Sequence, residues 1–297
     1  MVETVTRFAP SPTGYLHLGH AYSALFAHDM ARMLGGRFIL RIEDIDPGRC
    51  RDEFEDAIYE DLRWLGLTWE EPVLKQSAQL KGYGFALQKL AQMDLVYPCF
   101  CTRKEIAAEI ERAGHAPHPD EKGADGPPYP GTCRKYSKED RRERFAAGDP
   151  HVLRLDMLKA MVLAEARNGD QPLTWMDSSA GIVVCDPSAA GDVVLARKDI
   201  PTSYHLAVTI DDALQDVSLV TRGQDLFSST HVHRLLQALL GLPVPRWQHH
   251  RLIVDDAGKR LAKRDAAHSI RALRKEGAEP EEVRALTGID ATLKYFR

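Results

Sequence analysis

The sequence predicts an α/β protein: a parallel sheet flanked by helices, interrupted by a small inserted domain and closed by a short helical segment. Three observations carry this. The N-terminal part runs strand, turn, helix, strand, helix at the spacing of parallel crossover units. The pattern breaks near residue 96, where cysteines flank a long stretch rich in Pro and Gly. Strand-like and helical runs resume after residue 182.

Residues 4–9 alternate as a strand does, and Pro10-Ser11-Pro12-Thr13-Gly14 is a turn cluster. Apolar residues recur with helical spacing over 18–34, Gly35-Gly36 stops that helix, and 37–42 reads as a second strand. Residues 52–65 form an amphipathic helix with Phe54, Ile58, Leu62 and Leu65 on one face, and a further helix spans about 76–93. Between His115 and Pro130 lie Pro117, Pro119, Pro127 and Pro128 with Gly123 and Gly126, a long irregular loop of the kind usually tied to function. Strand-like runs follow at 182–184, 193–195, 204–210 and 217–221, then a helix over 229–240. From Pro243 onward the chain reads as basic and helical. The expected division is 1–95 for the first half of the main body, 96–184 for the insertion, 185–245 for the second half, and 246–297 for a basic loop with a helical C-terminal segment.

A chain of 297 residues has room for roughly two domains and a sizeable core. With 44% hydrophobic and 28% charged residues it excludes wholesale disorder. No apolar stretch approaches the roughly 18 residues of a membrane helix, and Met1-Val2-Glu3-Thr4 is not a secretory leader, so a cytoplasmic location away from membranes is expected. The net charge of −4 hides an uneven spread: carboxylates dominate 43–71 and basic residues dominate 259–275. Such a chain can still bind RNA through one basic face. Five cysteines make no disulfide framework, and Cys99 with Cys101 form a C-x-C pair better suited to metal or redox chemistry.

Two motifs carry chemistry. In Tyr15-Leu16-His17-Leu18-Gly19-His20 the histidines share one face at the start of a helix, whose N–H groups favour anions, and Gly14 and Gly19 let a ligand approach the backbone. Together they suit a triphosphate, although a bare H-x-x-H is more simply a surface or cap feature. The second is Lys259-Arg260-Leu261-Ala262-Lys263-Arg264-Asp265, a basic loop able to neutralise charge on a phosphate during transfer, or alone a solvated basic face. Neither a Walker A loop nor a kinase signature set is present.

The pairing of P-S-P-T-G-x-L-H-L-G-H with K-R-L-A-K-R resembles the class I aminoacyl-tRNA synthetases. R-F-A-P-S-P-T-G followed by R-I-E-D-I-D at 41–46 is similar to their glutamyl branch, as are Ser203-Tyr204-His205-Leu206-Ala207, Asp211-Asp212-Ala213 and Thr221-Arg222-Gly223-Gln224-Asp225-Leu226. The resemblance runs in order from about residue 5 to 265. It implies a Rossmann-type catalytic domain and attack of an amino-acid carboxylate on the α-phosphate of ATP, with Mg²⁺ accompanying the nucleotide. His17, His20 and Lys263 would be catalytic, and with Gly19 would bind ATP. Arg7, Ser11, Glu43, Tyr204 and Arg222 would form the glutamate site, the two guanidinium forks meeting two carboxylates. Ala262 stands where the family's basic loop carries Ser, which implies one phosphate hydrogen bond fewer and slower activation; Gln224 replaces an acidic residue.

Only 33 residues follow Arg264, less than the helical anticodon-binding region of full glutamyl-tRNA synthetases. With C-x-C then Y-x3-C, this resembles the glutamyl-queuosine tRNA(Asp) synthetase family. That implies tRNA-independent activation of L-glutamate and its transfer to the queuosine base at the wobble position of tRNA(Asp), by a chain expected to be a monomer. The family's metal site implies structural Zn²⁺ on Cys99, Cys101, Tyr129 and Cys133, whereas the residues taken alone favour His115 or His118 as fourth ligand. The alternatives are a minimal glutamyl-tRNA synthetase charging the 3′ end of tRNA(Glu), a non-catalytic RNA-binding relative and, remotely, a zinc hydrolase.

Overall fold

The structure is a computed structural model that describes residues 3–112, 129–253 and 269–294. Lys263, Ala262, His115 and His118 lie outside the described residues.

The chain opens as expected. Strand β1 (Val5–Phe8), helix α1 (Leu18–Met33) and strand β2 (Arg37–Ile42) make a crossover unit whose strands pair in parallel, Val5 opposite Arg37. The turn back is tight at Gly36, where a Cβ would sit 2.0 Å from the Thr4 carbonyl oxygen, so only glycine lets Arg37 reach its hydrogen bond to that oxygen. Helix α2 (Asp52–Trp64), whose first turn carries Asp52, Glu53 and Glu55, leads to the short strand β3 (Leu74–Lys75), parallel to β2. A 3-10 turn at Gln76–Gln79 then enters α3 (Leu80–Gln92).

The insertion starts at β4 (Val96–Cys99) and α4 (Arg103–Arg112), and resumes with α5 (Lys138–Ala146) and β5 (Val152–Leu155). Helix α6 (Met157–Arg167) leads to β6 (Thr174–Asp177), β7 (Gly181–Val184) and β8 (Val194–Arg197). The second half holds α7 (Tyr204–Leu214), β9 (Leu219–Gly223), α8 (Ser229–Leu240) and β10 (Arg246–His250). Helices α9 (Ile270–Lys275), α10 (Pro280–Thr287) and α11 (Ile289–Leu293) follow; α10 and α11 pack on α1, and α9 packs on α2, where Arg274 pairs with Glu60 and Asp61.

Sheet pairing corrects three expectations. First, the division at 184 does not separate the sheets. β4, β5 and β8 form an antiparallel sheet of their own, whereas β6 and β7 join β10 and β9 in the order β7-β6-β10-β9. The hairpin belongs there because it buries one face only: Trp175 packs at 5.5 Å from Trp247, while Met176, Ile182 and Val184 stay exposed. Second, 204–210 is the start of a helix and not a strand. Ser203 caps it by accepting from Leu206 N–H, and its short apolar run is buried from His205 through Thr209, a pattern that periodicity cannot assign. Third, 246–250 is a strand, β10, buried between β9 and β6.

The two halves meet where Ser218 N–H donates to the Val5 carbonyl at 3.1 Å and Val5 N–H donates to the Ser218 hydroxyl at 2.9 Å. This sets β9 beside β1, giving the run β3-β2-β1-β9-β10-β6-β7. Crossovers leave β1 and β9 in opposite directions, so the crevice beyond their C-terminal ends is a topological switch point, where open α/β sheets bind ligands.

Candidate active site

That crevice is a cleft of about 270 Å³. Arg7 on β1, Ser11 in the following turn, His17, Gly19 and His20 at the start of α1, Glu43 after β2, Tyr204 on α7 and Arg222 on β9 all line it. Eight of the nine residues expected to bind glutamate or ATP are thus brought together, although they span more than two hundred positions; the ninth is Lys263.

The two arginines are held differently. Arg7 is 6% exposed and forks onto Asp212, Nε to Oδ1 at 3.1 Å and Nη2 to Oδ2 at 3.4 Å, while Nη1 donates to the Thr221 carbonyl. Asp212 also accepts from Arg41 Nη1 at 2.8 Å. Burial opposes ionisation of Asp212, but Arg7 and Arg41 together outweigh it and hold the carboxyl below the usual range. Arg41, fully buried, reaches Glu43 at 3.4 Å and Asp211 at 3.8 Å as well. Burial pushes the Glu43 carboxyl up against the pull of Arg41 and Arg7. Arg222, by contrast, hydrogen-bonds only uncharged groups among the described residues, His249, His233, Thr230 and the Tyr204 phenol, and feels the Asp212 carboxylate through space without a hydrogen bond to it.

The histidine pair caps α1 and lines the cleft at once. His17 is the N-cap; its Nδ1 accepts from Gly19 N–H at 3.0 Å, and His20 Nδ1 accepts from His17 N–H at 3.2 Å. The rings stack at 3.8 Å. Because both Nδ1 atoms accept, each neutral ring carries its proton on Nε2, which makes two N–H donors beside a helix N-terminus, as an anion requires. The cap reading of H-x-x-H is thus what the geometry shows, and the same two rings line the cleft. Downstream, Ile270 N–H donates to the Leu16 carbonyl at 2.8 Å and Ser269 bridges His17, while Ile253 lines the cleft. The described residues on either side of 254–268 thus lie in the cleft, at Ile253, or beside its His17 wall, at Ser269.

A second groove of about 750 Å³ adjoins the first and shares Ser11, Glu43 and Tyr204 with it. Its far wall comes from the insertion and includes Arg103, Tyr129 and Arg154.

The cysteines converge behind that wall. The thiols of Cys99, Cys101 and Cys133 lie within 4.8 Å of one another. The Tyr129 hydroxyl sits 3.5 Å from Cys101 Sγ and accepts from Cys133 N–H at 2.7 Å. A tetrahedral ion with Zn–S bonds of about 2.3 Å needs sulfurs roughly 3.8 Å apart, so this donor set fits. Hydrogen bonding from Cys99 brings the Cys133 thiol down to about 6, toward the thiolate a metal takes, while its hydrogen bond to Cys133 and burial push Cys99 up to about 12. Gly131, at φ +77°, turns the chain so that Tyr129 and Cys133 meet, and Arg154 lies 4.0 Å over the Tyr129 ring. Of the open choices for a fourth ligand, only Tyr129 is among the described residues.

Sequence reasoning missed the residues behind the cleft. Asp212 and Arg41 were noted only as parts of resembling motifs, and Asp177, Thr230, His233, His249 and His250 were not singled out. The histidines lie on one helix and one strand, His233 on α8 and His249-His250 on β10, with no spacing that marks them as a site.

Residues 3–289 match the family of class I tRNA synthetases (E and Q), catalytic domain. The chain is 50% identical over 288 residues to the glutamyl-Q tRNA(Asp) synthetase of Rhodobacter capsulatus, covering 96% of this chain and 100% of that protein. It is 36% identical over 281 residues to the glutamate–tRNA ligase of Aquifex aeolicus, covering 95% of this chain and 56% of the ligase. The crystal structure of a glutamate tRNA ligase from Elizabethkingia meningosepticum in complex with its amino acid superposes with a TM-score of 0.70 at 29% identity, over 93% of this chain and 53% of that one. The chain therefore spans about half the length of the glutamate–tRNA ligases it matches. It belongs to the class I (E and Q) tRNA synthetase family, within the branch of the glutamyl-Q tRNA(Asp) synthetases.

Proposed function

We propose that this chain activates L-glutamate with ATP in the absence of tRNA and transfers the glutamyl group to the queuosine base at the wobble position of tRNA(Asp), acting as a cytoplasmic monomer. The observation that carries this reading is the convergence of Arg7, Glu43, Tyr204 and Arg222 with His17 and His20 in one cleft, in a chain half identical to a glutamyl-Q tRNA(Asp) synthetase along that protein's whole length.

The first step joins two anions, so its rate depends on positive charge and positioning. Arg7 and Arg222 meet the carboxylates of the substrate, Glu43 accepts from its α-ammonium group, and Ser11 and Tyr204 hydrogen-bond beside them. His17 and His20 donate through Nε2 to the phosphates, Gly19 lets the chain approach closely, and Lys263 neutralises the departing pyrophosphate. Mg²⁺ enters with ATP. The substrate carboxylate attacks the α-phosphate, pyrophosphate leaves, and glutamyl-adenylate remains. In the second step a hydroxyl of the cyclopentene ring attacks the glutamyl carbonyl and AMP leaves.

The second groove suits the acceptor, since an unstacked loop base with its backbone needs a wide, basic, partly apolar cavity next to the activated carbonyl. Zn²⁺ on Cys99, Cys101, Tyr129 and Cys133 supplies a structural cross-link in the insertion.

The test is incorporation of labelled glutamate, with ATP, into two total tRNA pools, one from cells able to make queuosine and one from cells unable to. Label confined to the queuosine-containing pool is the expected result. Equal label in both means charging of the 3′ end, and pyrophosphate exchange absent from an otherwise folded protein means a non-catalytic RNA-binding relative.

A further inference from the structure

Behind Arg222 lies a buried chain of groups whose ring tautomers follow from its donors. Arg222 has no acceptor, so every atom it touches must accept. Its Nε donates to His249 Nε2 at 3.2 Å, its Nη1 to His233 Nδ1 at 3.1 Å, and its Nη2 to the Thr230 hydroxyl. His249 Nε2 must therefore be bare. Its other nitrogen, Nδ1, lies 2.7 Å from Asp177 Oδ2 and carries the proton. The Thr230 hydroxyl, having accepted from Arg222, turns its own proton to His249 Nε2 at 3.2 Å, a second donor on the same bare nitrogen. His233, bare at Nδ1, is protonated at Nε2 and donates to His205 Nδ1 at 3.1 Å.

Asp177 sets the direction of the chain. Its Oδ1 accepts from the N–H groups of both Ser179 and Ala180 at 2.9 Å, which leaves Oδ2 to face His249, whose backbone N–H donates to it at 3.4 Å beside the ring. All of these side chains are buried: Asp177 is 1% exposed, His233 3%, Thr230 0% and His249 6%. The charged and titratable groups around the two rings are Asp177 on β6, Arg222 on β9, His250 on β10, Tyr204 and His205 on α7, and Arg7 on β1. Burial and the guanidinium beside them keep both rings from taking a further proton.

We infer that Asp177, His249 and His233 are positioning residues for glutamate: Asp177 fixes the His249 tautomer, and the two neutral imidazoles hold the Arg222 guanidinium toward the substrate without neutralising it. The inference rests on the proposed reading of Arg222 as a glutamate-binding residue. It distinguishes the two arginines of the cleft, since Arg7 is already matched by Asp212 whereas Arg222 keeps its charge for a carboxylate of the substrate.

Asp177→Asn tests it with almost no change of shape. The amide oxygen stays on the two backbone N–H groups, so the new NH₂ faces His249 Nδ1. The ring must then become an acceptor there and carry its proton on Nε2, against Arg222 Nε–H. Imidazole ¹⁵N shifts should show His249 protonated at Nδ1 in the unaltered protein and at Nε2 in the variant. In glutamate-dependent pyrophosphate exchange the KM for glutamate should rise about 10- to 100-fold, the range for a lost hydrogen bond to a charged group, while the KM for ATP holds. An unaltered protein with His249 protonated at Nε2, or a variant whose tautomer has switched while the glutamate KM stays within twofold, overturns the inference. No exchange by the unaltered protein overturns the functional reading instead, and the tautomer measurement on it still decides the proton arrangement. If Asp177→Asn does not fold, His249→Gln, whose carbonyl can accept from Arg222, should keep the glutamate KM within a few fold while His249→Leu does not; equal values for the two contradict the inference.

Discussion

Arg7 and Asp212 face each other 205 positions apart in a two-pronged ion pair, sealed between β1 and α7 and shared with the fully buried Arg41. The arrangement spans both halves of the main body, so one carboxylate positions Arg7, the arginine proposed to meet glutamate, and also ties the halves together. Removing one member of a buried pair leaves the others uncompensated, at a cost of about 3–5 kcal/mol. Asp212→Ala is expected to lower the free energy of unfolding measured in urea by an amount of that order and to raise the KM for glutamate. Asp212→Asn keeps the shape and one acceptor, and should fold better while losing most of the glutamate affinity. Equal glutamate KM values in Asp212→Asn and the unaltered protein would separate the pair from substrate binding.

Gly19 gives a second handle. A Cβ there would lie 2.9 Å from His17 Cε1 and 3.1 Å from Nδ1, on the ring that caps the helix. Gly19→Ala must push His17 off its cap. Since alanine otherwise favours a helix, the loss of the cap, about 1 kcal/mol, should be largely offset. The expected outcome is a protein of nearly unchanged stability whose KM for ATP rises while that for glutamate does not. Thermal denaturation and exchange kinetics check the two halves of this statement.

Much of this site was legible in the sequence, for identifiable reasons. Turn punctuation by Pro10, Pro12 and Gly14, the Gly35-Gly36 stop and the 3.6-residue period of 18–33 report local physics, and they located β1, α1 and β2 to within a residue or two. The residues lining the cleft sit in contiguous strings at strand ends, so they could be read as motifs. The groups behind the cleft could not. Asp177, Thr230, His233 and His249 lie on three separate elements, and each alone is an ordinary polar residue; only the tertiary fold aligns their nitrogens and oxygens. Residues 204–210 misled because an all-buried helix start and a buried strand share the same apolar run. The insertion boundary misled because β6 and β7 leave the inserted segment to extend the main sheet, a choice made by Trp175 and its partners on β10 and α8 rather than by any local signal.

The insertion has a small core of its own, built from Tyr97, Phe100 and the cysteine cluster, so a metal held by those cysteines would matter more to it than to the main body. The insertion lines the second groove through Arg103, Tyr129 and Arg154, whereas none of its described residues lines the first. Metal removal therefore has an asymmetric consequence. Chelation, or Cys133→Ser, should leave glutamate-dependent pyrophosphate exchange within a few fold of the starting value and abolish transfer to tRNA. Metal analysis of the untreated protein should find roughly one zinc per chain, the content of a single closed site. Parallel loss of exchange and transfer would mean that the insertion supports both steps.

The buried histidines make stability depend on acid in a direction that can be worked out. Burial, then Arg222, lowers His249 from its ordinary 6.5 to about 4, and burial lowers His233 and His250 in the same direction. In the unfolded chain these rings take protons as pH falls through 6.5, while in the folded chain they stay neutral. The unfolded state thus binds more protons, and stability falls as pH drops from 6.5 toward 4; for His249 alone the loss reaches about 3 kcal/mol at 1.36 kcal/mol per pH unit. Below 4 its contribution levels off. Asp177, whose carboxyl is held low against burial by His249 and the Ser179 and Ala180 N–H groups, extends the decline into the range below 3.8. His249→Gln is expected to be less stable than the unaltered protein at pH 7, because a fitted buried hydrogen bond is lost, yet to lose less on acidification to pH 4.5. Urea unfolding at pH 7, 5.5 and 4.5 measures both slopes, and parallel slopes would show that His249 titrates in the folded protein as it does in the unfolded one.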